Sequence, residues 1–302
     1  MNYSELKSRL KDALVKQLKV AETILPDDVR RALEKAMDRE ENPMAKTILE
    51  AILKNIELAQ KTGKPMCQDT GVIIYYLEVG KDFPLILELN DILKEAAIEA
   101  TKKIPLRPNT INPWTHENPG DNTGRYIPWI NLDLVDGDEA IIHVLPKGGG
   151  SEYTCKLWSL SPGLGIKGVK EAVIRTIYEA GGKPCPPIIV GVGIGGGADI
   201  SMKLAKKAIL KPVGERNEDP KIAEVEEELV KKANELGIGP MGVGGSTTVL
   251  DIHIDWAHRH PANLHVGIVT QCWAARRATI KVDSSGDIKF LSHNIDLNDI
   301  KI

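Results

Sequence analysis

Apolar positions recur at helical spacing from Tyr3 to about Gln60, with a stop and restart at LPDDVRR, where Pro26 breaks the pattern and Asp27 and Asp28 supply acids for a new first turn. The first sixty residues are therefore predicted to be helical. The period then changes: GVIIYYLEVG is rich in branched and aromatic residues and closes on Gly80, which predicts a strand, before LILELNDILKEAAIEATKKI returns to helical spacing. Residues 105 to 128 carry five prolines and several Asn and Gly turn signals, and are predicted to form a long irregular segment. Such segments are disproportionately functional. WINLDLVDGDEAIIHVLP is hairpin-like around its Asp-Gly turn, and a helix is predicted from about Ile166 to Ala180. KPCPPIIVGVGIGGGADISMKLAKKAIL then predicts a short apolar strand, a glycine cluster and a helix. A charged helix over 221 to 236 precedes strands separated by a His-rich turn. No internal repeat of fixed period is present. Helices and strands mix throughout, so the predicted class is α/β (mixed α+β), with mixed sheets and helices in two lobes.

Size and charge narrow the picture. A chain of 302 residues can bury a substantial core and allows either two domains or one large one. The net charge is -3, with basic and acidic residues interspersed, so the one-sided basic field that nucleic-acid binding needs is missing. The N-terminal MNYSELKSRLKDALVKQLKV is amphipathic with no apolar signal core, and nothing approaches the roughly 18 apolar residues of a membrane span. A cytoplasmic location is expected. Four cysteines in such a chain do not make a disulfide scaffold, so each is either a buried hydrophobe or a ligand or nucleophile.

Gly191, Gly193 and Gly196 satisfy G-x-G-x-x-G between a strand and a helix, as a dinucleotide site would. The segment where a ribose-binding acid should follow is instead the broken, charged AILKPVGERNEDP, which favours close backbone packing as the reason for these glycines. Cys67 in PMCQD, Cys185 in KPCPP and Cys272 in TQCWAARR each stand at a predicted element boundary, whereas Cys155 lacks such punctuation. The C-x-x-C and H-x-x-x-H spacings of structural zinc are absent, and the cysteine gaps are not those of a ferredoxin. Spacing alone leaves ligand and buried thiol both open.

KPMCQDTG, PKGGGSE, KPCPPIIVGVGIGGG, LGIGPMGVGGSTTVLDIHI and HPANLHVGIVTQCWAARR, in that order, resemble the α subunit of the two-subunit class I hydro-lyases, the iron-sulfur fumarate hydratases and L(+)-tartrate dehydratases. The resemblance runs through almost the whole chain and implies a single α-subunit catalytic domain over 1–302, with its two lobes sharing an iron-sulfur site. It implies that Cys67, Cys185 and Cys272 hold a [4Fe-4S] cluster whose fourth iron has no protein ligand, and it places Cys155 outside the ligand set. An open iron is a Lewis acid for substrate oxygens. By the same resemblance Gln68 hydrogen-bonds substrate, Asp69 and His260 take part in acid-base chemistry, Arg107 binds a carboxylate, and Gly149 and Gly150 allow backbone N–H groups close to substrate. For each a bland role also exists: Asp69 in a turn before Gly71, Arg107 solvated on its loop, the glycines in a plain turn, His260 as a turn residue. His258 and His265 compete with His260 for its assignment.

The resemblance further implies a small dicarboxylic acid substrate, a hetero-oligomer, and a separate β subunit that supplies a catalytic threonine with arginine and lysine contacts, because the chain stops soon after FLSHNIDL. Of the two substrates fumarate, hydrated reversibly to (S)-malate, is the expected one on PKGGGSE, with L(+)-tartrate, going to oxaloacetate and water, as the alternative, since GDNTGRYIPW, QCWAARR and LSHN are also similar to the tartrate enzymes. Two readings of other classes stand beside this one: a scaffold subunit with inert cysteines, and a nicotinamide-dependent oxidoreductase built on Gly191 to Gly196.

Overall fold

The computed structural model describes residues 2–302. Its elements in chain order are α1 (Tyr3–Thr23), α2 (Asp27–Arg39), α3 (Pro43–Thr62), β1 (Val72–Gly80), α4 (Leu89–Lys103), β2 (Trp129–Val135), β3 (Ala140–Lys147), α5 (Gly149–Tyr153), β4 (Lys156–Leu160), α6 (Gly165–Ala180), β5 (Ile188–Gly196), α7 (Ala198–Ala208), α8 (Pro220–Glu235), β6 (Val249–Arg259), β7 (Leu264–Gln271), β8 (Ala278–Val282) and β9 (Ile288–Phe290). Helices and mixed sheets alternate, as the changes of period predict. The helical N-terminal region breaks twice rather than once, because the Asn42 side chain accepts from Met44 and Ala45 N–H and Pro43 opens the next helix. Among the described residues no helix is long and apolar enough to cross a membrane.

The chain divides into two compact units, one made of 1–26, 55–148 and 276–302, the other of 27–54 and 149–275. The first holds a five-stranded sheet in the order β2-β1-β3-β8-β9. Leu10, Leu14 and Leu18 of α1 and Ile92, Leu93 and Ala96 of α4 pack on Ile73, Tyr75, Leu77 and Val79, the alternate positions of β1. The buried Gln17 amide donates to the carbonyls of Ile142 and Ala278 and so fastens α1 to β3 and β8.

The second unit holds a four-stranded sheet, β4-β7-β5-β6. Val190 and Val192 join α6 and α8 in its core, with Val173, Ile177 and Leu229 among their neighbours. On the opposite face α7 lies so close that a Cβ on Gly191 would stand 1.9 Å from the Ala205 carbonyl oxygen and one on Gly193 2.0 Å from that of Ser201. The glycine cluster is thus explained by close helix-sheet approach, the packing role favoured over a nucleotide loop.

The hairpin expected at WINLDLVDGDEAIIHVLP does not form. β2 pairs parallel with β1 and β3 pairs antiparallel with it on the other side, so β1 lies between them. The reason is steric and local. The Asp-Gly connection passes over the end of β1, where Gly80 N–H meets the Glu139 carbonyl and Asp82 N–H meets that of Gly137. A Cβ on Gly80 would stand 2.2 Å from the Gly137 oxygen. The second unit repeats the device: β6 is parallel to β5, β7 is antiparallel to it on the other side, and Gly195 sits under the Ala257 carbonyl. Each parallel partner is reached through a long helical crossover, as parallel pairing requires. Gly80→Ala is therefore expected to destabilise the protein by about 1–3 kcal/mol, since the obstacle is backbone and cannot rotate away. Chemical denaturation checks this, with Gly163→Ala as the control, an exposed position without a left-handed backbone where a Cβ would meet nothing nearer than 3.9 Å.

Candidate active site

In each unit the candidate residues, His260 apart, gather where the central strand begins and its antiparallel neighbour ends. Val72 of β1 is opposite Lys147 of β3, so the Cys67–Gly71 loop and Gly148 share one end of the first sheet. β8 begins there too, opposite Val144, and brings Arg276. In the second unit Ile189 is opposite Gln271, which places Cys185 and Cys272 at one end of that sheet.

The loop before β1 is held firmly. Gly71 has φ +77°, and a Cβ there would meet the Lys147 backbone at 2.7 Å, so glycine is needed both for its conformation and for its space. Asp69 Oδ1 accepts from Gly71 N–H at 2.9 Å, the turn role anticipated as the bland one, and also from the Asn109 amide at 3.2 Å. The same amide lies 3.3 Å from Thr70 Oγ1 and 3.2 Å from the Gly71 carbonyl. Arg107 N–H donates to Thr70 Oγ1 at 3.0 Å. The irregular 105–128 segment is thereby stitched to the Cys67–Gly71 loop. Asn122 completes the stitching: its amide donates to the Arg107 carbonyl and its oxygen accepts from Asn109 N–H. The Gln68 and Arg107 side chains are exposed, Cys67 and Asp69 half-buried. This arrangement sets an acid, an amide and a guanidinium on one scaffold, the donor and acceptor set that a carboxylate substrate requires.

Behind the loop lies a buried ion pair. Arg276 and Glu22 are both about 1 % exposed, with Nη1 3.2 Å from Oε2, and Arg276 Nη1 also donates to the Asp69 carbonyl. Burial pushes the Glu22 carboxyl up to about 7, against the opposing pull of Arg276; the Asp69 charge pushes the same way. The sequence pattern does not single out Asn109 or Glu22, and Arg276, which follows Cys272, is open in sequence to either an anion-binding or a structural role. Glu22 had a signal: it follows Leu10, Leu14 and Leu18 at four-residue steps, an acid on an apolar stripe.

In the second unit Cys185 adopts φ +56°, a costly conformation for a side-chain-bearing residue, and its carbonyl accepts from Trp273 N–H at 3.2 Å. That bond ties the Cys185 turn to the residue after Cys272. Gly149 and Gly150 open α5 and are exposed; a Cβ on Gly150 would lie 3.2 Å from the Lys183 carbonyl, so α5 packs on the segment leading to Cys185. Thr154 and Thr270 hydroxyls, 2.6 Å apart, both reach the Ser151 carbonyl and hold α5 beside β7. Cys155 donates to that carbonyl at 3.3 Å.

His260 is placed differently. It lies in the turn between β6 and β7, at the end of the second sheet where β5 finishes, whereas Cys185 and Cys272 stand where β5 begins. The eight residues of β7 separate it from Cys272, about 27 Å of extended chain. His260 is exposed and its Nδ1 accepts from Ala262 N–H, while Arg259 braces the turn through the carbonyls of His260, Pro261 and Asn263. Within the second unit His260 thus stands at the opposite end of the sheet from Cys185 and Cys272, and its acid-base role stays an expectation of the resemblance. His258 stacks on Trp256 and His265 pairs with Ser159, which accounts for both in structural terms.

In donor chemistry the thiols suit an iron-sulfur group. All four cysteines are thiols; Cys67, Cys185 and Cys272 are half-buried on braced turns. Among the described residues no three His, Cys, Asp or Glu side chains are grouped to hold one ion. Thiolates that each take a separate iron of a cube need not crowd round a single point as ligands of one ion must.

The profile of the fumarate hydratase (Fumerase) family matches residues 11–281. A Methanocaldococcus jannaschii protein with the provisional name L(+)-tartrate dehydratase subunit alpha is 46% identical over 282 residues, 91% of this chain and 99% of the relative. The L(+)-tartrate dehydratase subunit alpha proteins of Escherichia coli K12 and Shigella sonnei are each 39% identical over 293 residues, 97% of both chains. With matches of this length, the chain belongs to the fumarate hydratase (Fumerase) family and is a hydro-lyase.

Proposed function

We propose that this chain is the α subunit of an L(+)-tartrate dehydratase, removing water from tartrate to give oxaloacetate, with a separate β subunit completing the site. The observation that carries the substrate choice is the identity of 39 to 46% over nearly the full length of relatives named for tartrate. The preference for fumarate drawn from PKGGGSE gives way to it. Fumarate hydration remains the second reading, favoured by the description of the family profile.

In this proposal Cys67, Cys185 and Cys272 hold a [4Fe-4S] cluster, which when bound supplies a Lewis-acidic iron for substrate oxygens. The chain's own residues then divide the remaining work. Arg107 binds a substrate carboxylate through its guanidinium fork, and Gln68 donates an amide hydrogen to a substrate oxygen. Gly149 and Gly150 let main-chain N–H groups approach the other carboxylate. Asp69 exchanges a proton with the reacting substrate. The carbon-hydrogen bond adjacent to one carboxylate gives up its proton, the neighbouring carbon-oxygen bond breaks, and the leaving hydroxide departs as water. The resulting enol takes up a proton at carbon to become the keto acid.

The test is an anaerobically reconstituted complex of this chain with its β partner, assayed on L(+)-tartrate, D(-)-tartrate, fumarate and malate. The highest kcat/KM is expected on L(+)-tartrate, with no turnover by this chain alone. A higher value on fumarate or malate would establish the second reading. Full activity without a partner would overturn the two-subunit assignment.

A further inference from the structure

Arg276 is the largest fully buried side chain among the described residues, and a guanidinium is costly to bury unless it is both paired and hydrogen-bonded. Here one nitrogen, Nη1, serves both Glu22 and the peptide carbonyl of Asp69. Nη2 and Asp69 Oδ2 each lie 3.1 Å from the point that a Gly148 Cβ would occupy, so the guanidinium and the carboxylate flank the same α-carbon. The loop is gripped a few residues earlier as well. Met66 N–H donates to the Glu22 carbonyl at 2.9 Å, and the Asn55 amide donates to the Met66 carbonyl at 2.7 Å. Glu22 thus touches the loop with its backbone and, through Arg276, with its side chain.

We propose that Arg276, locked by Glu22, is the positioning residue that fixes the Cys67–Asp69 segment and aims the Asp69 carboxylate at substrate. This rests on the hydro-lyase function proposed for that loop. The bond to the Asp69 carbonyl sets the plane of the Asp69–Thr70 peptide, and with it the direction of the Asp69 Cα–Cβ bond. A lysine's single nitrogen could reach the same two acceptors, but it has no planar group to fix its direction and nothing to fill the Nη2 position beside Gly148. A residue placed only for stability could be lost with the chemistry of each folded molecule intact; a positioning residue could not.

The experiment uses the full chain co-expressed with its β partner and reconstituted anaerobically, as wild type, Arg276→Met, Arg276→Lys and Glu22→Gln. Iron per chain, kcat and KM per loaded site on L(+)-tartrate, and amide hydrogen exchange over residues 66–71 are measured for each. For Arg276→Met, kcat per loaded site is expected to fall about 10–100-fold, the range for groups that orient a metal site from behind, with KM changed by less than about threefold. Exchange over 66–71 is expected to quicken by about tenfold while β1 stays protected. Arg276→Lys should recover part of both losses. Glu22→Gln keeps an acceptor and should give a smaller change in the same direction, and it carries the test if Arg276→Met does not fold. Unchanged exchange over 66–71, or kcat per loaded site within about threefold of wild type, would overturn the proposal. A wild-type complex that turns over no dicarboxylic acid would instead sink the hydro-lyase assignment, and the exchange comparison would still judge the strut.

Discussion

Asp69→Asn is expected to lower kcat on L(+)-tartrate by about 10²–10⁴-fold, the usual contribution of a positioned acid-base group. Asparagine retains the Oδ1 acceptor that receives Gly71 N–H, so the turn is preserved and the proton-transfer function is removed almost alone. Asn109, whose amide also donates to Asp69 Oδ1, remains to hold the loop. Iron content and KM should therefore stay near wild type. Steady-state kinetics of the reconstituted complex decides the matter. A fall of less than about tenfold would return Asp69 to the bland role of a turn residue.

Cys185→Ser should abolish iron incorporation and, with it, activity. A serine hydroxyl is a poor substitute for a thiolate towards an iron-sulfur cluster. The backbone of residue 185 is held by the bonds from its N–H to Gly182 and from Trp273 N–H to its carbonyl, and neither involves the sulfur. The far-ultraviolet circular dichroism should accordingly match wild type while iron and acid-labile sulfide per chain fall to background. Cys155→Ser is the contrast, since that thiol donates to the Ser151 carbonyl of its own turn, and it should leave iron content intact. Normal iron in Cys185→Ser, or its loss in Cys155→Ser, would exclude the proposed ligand set.

Much of the candidate site is legible in sequence because its pieces are short and contiguous. Cys67, Gln68, Asp69 and Gly71 lie within five residues, and the turn that joins them is made by their own side chains. Arg107 was legible as a cation in a proline-rich segment, but not its attachment to Thr70 across 37 residues. Asn109 carries no pattern of its own and becomes significant only through that attachment. His260 is legible only through the resemblance, and a motif offset does not show that β7 sets it at the far end of the second sheet from Cys272.

By itself the sequence determined the alternation of helices and strands, the irregular 105–128 segment, the cysteines at element boundaries and the membership of a hydro-lyase family. These follow from local propensity, residue period and motif order, which are properties of short stretches. Tertiary structure alone decided that β1 and β5 are central strands with a parallel partner on one side and an antiparallel one on the other. It also decided that Gly80 and Gly195 must lack side chains for the chain to cross their ends, and that Glu22 and Arg276, 254 residues apart, are buried together behind Asp69. The physical reason is that strand pairing and charge burial are settled by which distant segments compete for the same space and hydrogen bonds, and no window of neighbouring residues contains that competition.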